Sequence, residues 1–150
     1  FYEGVREIPG PQTNATIAGW LQKLKSWIKG DEVPWCGTFV AAVMQEAGLP
    51  FPALYPQAKA WADYGSRLRT EFLAPGAILV FGRAGGGHVG FYLGEDETHY
   101  HVFGGNQKNA VNVMRLEKGR LLASRWPKGE AVLGGPVKLA ANGKVSSNEA

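Results

Sequence analysis

Cysteine is almost missing from this chain: Cys36 is the only one in 150 residues. A single thiol excludes an intrachain disulfide framework and a zinc site built from several cysteines, so the core must hold the fold together. Histidine is also scarce, with three copies at His88, His99 and His101. No apolar run is long enough to span a bilayer as a helix, so membrane insertion is not expected. Charge is nearly balanced, 16 basic against 13 acidic side chains, and the net +3 is too small to argue for a nucleic-acid partner. A mild basic excess between His99 and Lys128 suits either a solvated face or attraction to an anionic polymer. Phe1-Tyr2-Glu3-Gly4 has neither a basic region nor an apolar core, so no signal peptide is expected here, and the start without Met reads as a cropped or mature fragment.

What is present divides into a helical half and a strand half. "TNATIAGWLQKLKSWIKG", capped at Thr13 or Asn14, places Ile17, Trp20, Leu21, Leu24, Trp27 and Ile28 at helical spacing up to Gly30. A second helix is predicted from about Trp35 to Ala47, with Gly48 as its stop. A shorter third helix starts near Pro56 and stops at Gly65. After Ala74, "PGAILVFGR", "GGGHVGFYLG", "HYHVFGGNQ", "AVNVMRL" and "RLLASRWP" read as five strands. Helices first and strands later predict an α+β fold, helices packed on an antiparallel sheet of about five strands. One domain over residues 1–135 is expected, followed by a loose polar tail over 136–150.

The cysteine stands where the second helix begins. There it meets the unpaired N–H groups of a helix start and the positive end of the dipole, which favour thiolate over thiol. A thiolate attacks amide carbonyls, and the same N–H groups can bind the resulting oxyanion. A lone cysteine is also commonly just a small buried hydrophobe. A base tips the balance: His88 follows Gly85-Gly86-Gly87 and opens the apolar strand "HVGFYL". The glycines before it let a substrate approach the backbone. Trp35, Trp61, Tyr92 and Tyr100 are candidates to line a groove, Trp35 and Tyr92 being taken as substrate-binding. For each the plain alternative is core packing, which is favoured for Trp61.

"PWCGTFV", "PGAILVF…GGGHVGFYLG" and "FGGNQ", in this order, resemble the CHAP-type peptidoglycan hydrolases, the cysteine, histidine-dependent amidohydrolases/peptidases. The likeness runs from about Gly4 to Pro127 and is closest to compact members of bacteriophage endolysins and tail lysins. It implies a papain-like fold, Cys36 as nucleophile, His88 as general base, and cleavage of amide bonds in cell-wall peptides. It implies no metal or cofactor, peptidoglycan as the partner, and a monomer acting on the bacterial wall, either phage-encoded or exported. Which amide is cut, by muramoyl-alanine amidase or endopeptidase action, is left open.

A base histidine needs a group that fixes its tautomer. With a five-residue turn over Gly94–Thr98, Leu93 faces His99, His88 faces Gly104, and Asn106 lies diagonal to His88 on one face. With a two-residue turn at Glu95-Asp96, the register slips and His101 takes that face. The family pattern can carry an acid two places before the asparagine, where this chain has Gly104. Asn106 is preferred, and Gln107 is expected to point away. The rival functions are a wall-binding module that kept the fold and a transglutaminase-like or deamidating toxin using the same Cys–His pair.

Overall fold

The computed structural model describes residues 35–83, 86–105, 111–141 and 145. The helix expected over Thr13–Gly30 lies outside them. The apolar spacing after Trp35 produces α1 (Cys36–Glu46), with eight of its residues buried. Gly48, at φ 73°, ends it as expected. Gly48 N–H donates to the Gln45 carbonyl at 3.1 Å and Leu49 N–H to the Met44 carbonyl at 2.8 Å. These two bonds satisfy carbonyls that the last helical turn leaves open.

The expected third helix is a tighter 3-10 turn, Ala58–Asp63, rather than an α-helix. Its anchor is Trp61, fully buried, whose Nε1 donates to the Tyr55 carbonyl at 3.0 Å. So short a segment gains little from α-helical cooperativity, and the anchored indole decides its path.

The sheet has six strands, one more than expected: β1 (Ser66–Arg67), β2 (Ile78–Arg83), β3 (Gly86–Glu95), β4 (His99–Gly104), β5 (Asn112–Glu117) and β6 (Leu121–Trp126). Their order is β1-β6-β2-β3-β4-β5, and every neighbouring pair is antiparallel. The unforeseen strand, β1, has only two residues, too few to carry an alternating pattern.

Both faces of the sheet are buried, which explains why β2 reads as the unbroken run Ile78-Leu79-Val80-Phe81. On one face α1 and the 3-10 turn cover Ile78, Val80, Val89 and Phe91. Phe39 joins helix to sheet, its ring edge-on to Phe91 at 6.2 Å and Phe103 at 5.5 Å. On the other face Leu79, Phe81, Tyr92, Val102, Met114 and Leu116 form a second cluster.

The β3–β4 hairpin departs from both registers considered above. Tyr92 pairs with Val102 and Gly94 with His101, with an irregularity between them at Leu93. The physical reason is that the polar cluster splits between strand and turn. Asp96 makes the turn: its Oδ1 accepts from the N–H of Thr98 and of His99, each at 3.0 Å. Glu95 stays in the strand because Tyr92 OH donates to it at 2.7 Å and Lys118 Nζ at 2.8 Å. Beyond residue 135, Glu95 N–H donates to the Val137 carbonyl and Leu139 N–H to the Glu95 carbonyl, each at 2.8 Å.

Arg115 Nε, 2.9 Å from Asp96 Oδ2, holds that carboxyl well below the usual carboxylate range, helped by the turn N–H groups and His101. A lowered folded-state pKa adds stability at neutral pH that fades as acid protonates the group. The thermal midpoint of the wild type should therefore drop more steeply below about pH 4 than that of Asp96→Asn, already lower at pH 7. Parallel pH curves for the two proteins would exclude this role.

Candidate active site

Cys36 is the first residue of α1, directly after Trp35, whose carbonyl accepts the first helical bond from Phe39 N–H at 2.9 Å. The Trp35 side chain makes no capping hydrogen bond at this helix start, and no acidic residue lies in its first turn. The positive end of the helix is therefore uncompensated from within α1, which suits it to receive an anion. Cys36 is 3 % exposed and belongs to the cluster between α1 and the sheet.

His88 lies near the start of β3 and is fully buried. It pairs with Phe81 in the β2–β3 ladder. Alternation therefore gives its side chain the Phe81 side of the strand, whereas Val89 and Phe91 face α1.

Close backbone approaches bring the thiol's helix and the histidine's strand to one end of the sheet. A Cβ on Gly37 would lie 2.0 Å from the Tyr55 carbonyl oxygen and 3.1 Å from Pro56. One on Gly87 would lie 3.1 Å from the Lys59 side chain and 3.5 Å from Ala58. The segment 55–59 thus touches the neighbour of Cys36 at one end and the neighbour of His88 at the other. Gly105, just past β4, provides a third approach: a Cβ there would be 2.6 Å from the Trp35 ring and 2.7 Å from Phe39. No local pattern assigned a packing role to Gly105 or to the 55–59 segment. The Gly104-Gly105 pair was the available signal.

Gly37→Ala is expected to destabilise the fold by about 2 kcal/mol or more, because a methyl group must displace backbone rather than a flexible side chain. Denaturant unfolding measures this, and a wild-type midpoint for the variant would contradict the close approach.

The remaining candidates separate. The Trp35 ring is 2 % exposed and packs on Gly105, and Tyr92 is fully buried with its hydroxyl on Glu95. Trp61 and Tyr100 are core residues too. All four are buried side chains on the covered faces of the sheet. His101 Nε2 lies 2.9 Å from Asp96 Oδ2. It pairs with Gly94, six residues along β3 from His88, or about 20 Å. That distance removes it as the partner of His88. Gly104 stands beside Gly90 rather than His88, since a Cβ on Gly90 would be 3.6 Å from the Gly104 Cα. Asn106 and Gln107 lie outside the described residues. Among those residues no group of three His, Cys, Asp or Glu side chains is arranged to hold a metal ion. Nor is any helix long and apolar enough to cross a membrane.

The model of the CHAP domain family matches residues 28–106. That span covers more than half of the chain and contains both Cys36 and His88. No curated protein matches the sequence.

Proposed function

Because this chain belongs to the CHAP domain family, we propose that it is a peptidoglycan hydrolase that cuts amide bonds in cell-wall peptides by thiol chemistry. The observation that carries this reading is the thiol at the first residue of α1, at the end of the sheet where His88 lies near the start of β3. His88 takes the Cys36 proton, and the thiolate adds to the peptide carbonyl. The N–H groups of the first helical turn hold the oxyanion. Collapse breaks the C–N bond, His88 gives its proton to the leaving amine, and a thioester remains. Water activated by His88 then releases the acid and restores the thiol.

This mechanism requires the imidazole to reach Cys36 past the end of the sheet, where β4 has already finished at Gly104. Asn106 is the proposed group that accepts from His88 Nδ1–H and leaves Nε2 for the thiol. Its support is covalent: it follows Gly105, which packs on Trp35 and Phe39 beside the helix start. A wall-binding module without catalysis draws on one observation, the burial of Cys36 and His88.

Mass spectrometry of purified sacculi after incubation tests the proposal. New amino termini paired with freed lactyl carboxyls identify an amidase, and new amino termini without them identify an endopeptidase. Unchanged muropeptides assign the chain to the binding module.

A further inference from the structure

On the sheet edge away from β4, β1 and β6 set Arg67 directly opposite Arg125. Like charges at such a position repel and weaken a strand pair. Among the described residues no carboxylate forms an ion pair with Arg67, Arg69 or Arg125. Arg125 is fixed in place, Nε donating to the Tyr64 carbonyl at 2.6 Å and one Nη to the Gly65 carbonyl at 3.2 Å. A guanidinium carries five N–H donors, so these two bonds leave others to face a ligand.

The arginines line a concavity. A depression of about 360 Å³ contains Arg67, Thr70, Ser124 and Arg125. A second of about 360 Å³ shares Arg67, Thr70 and Ser124 with it and adds Arg69. Glu71 is the one acid in the lining, and its Oε1 accepts from Thr70 Oγ1 at 3.2 Å.

We infer that this double depression binds phosphate groups of an anionic phosphodiester polymer at the cell surface. Neighbouring arginines in one lining offer several N–H donors to the oxygens of a phosphate. A linear polymer supplies such groups at intervals, and adjoining depressions accept successive ones.

The placement relates this site to the candidate active site. Arg67, Arg125, Ile78 and Phe91 occupy one rung across β1, β6, β2 and β3. Paired residues share a face, so the arginines lie on the side that α1 covers, Arg125 about 10 Å and Arg67 about 14 Å from Phe91. A polymer held there stands beside the wall strand whose peptides the thiol would cut. The binding does not depend on Cys36 chemistry, and its test reads binding alone.

A synthetic glycerol-phosphate oligomer is titrated into the full chain by calorimetry at low salt. Arg67→Gln and Arg69→Gln are each expected to weaken binding about tenfold with the fold unchanged by circular dichroism. Lys138→Gln, at a position that lies against Glu95 of β3 and outside both depressions, should bind as the wild type does. Absence of wild-type binding overturns the inference, and so does an equal loss in Lys138→Gln, which would reflect net charge alone. A dicarboxylate peptide that binds as tightly as the oligomer also overturns it, by assigning the arginines to peptide carboxylates.

Discussion

Cys36→Ala is expected to lower the release of new end groups from purified sacculi by at least about ten-thousand-fold while the protein stays folded. The loss is large because no other thiol exists to form the acyl intermediate. Removing one sulfur from the α1–sheet cluster costs only about 1 kcal/mol, so a near-wild-type melting curve separates lost chemistry from lost structure. Iodoacetamide should block the wild type, and EDTA should leave it active. Burial makes the alkylation rate informative. An inert core thiol at 3 % exposure reacts slowly at every pH, whereas a thiolate paired with an imidazolium reacts even in mild acid. Substantial cleavage by Cys36→Ala removes the thiol mechanism.

His88→Gln is expected to reduce turnover about a thousand-fold, the scale of a lost general base. Glutamine keeps most of the volume of a fully buried side chain, so a cavity does not confound the result. The wild-type pH profile should rise as the thiol ionises and fall as the imidazolium is lost, and the variant should lose the limb that belongs to His88. Asn106→Ala should lower turnover less, because it takes away orientation and leaves nucleophile and base in place. His101→Ala should spare turnover and instead lower thermal stability, since its ring bonds the turn-forming Asp96. Loss of turnover greater in His101→Ala than in Asn106→Ala would overturn this assignment.

The sequence by itself determined the elements whose signals are local. The apolar stripe of α1, its Gly48 stop and the five longer strands follow from patterns that neighbouring residues complete among themselves. The position of Cys36 at a helix start was equally legible, because a boundary is marked by the residues beside it. Asp96 and Glu95 show where such reading ends. As adjacent acids they look alike, yet one builds the turn through bonds to Thr98 and His99, while the other stays in the strand through Tyr92 and Lys118. Lys118 is 23 residues from Glu95, and no local pattern predicts that bond. The hairpin register follows from it, and with it the removal of His101 from the neighbourhood of His88. The burial of the aromatic side chains was hidden for the same reason. Trp35 and Tyr92 are large and amphipathic, which fits a groove or a core, and only the packing of α1 and the tail against both faces of one sheet encloses them. The opposed arginines of β1 and β6 are 58 positions apart, and only the closing of that sheet edge makes them neighbours.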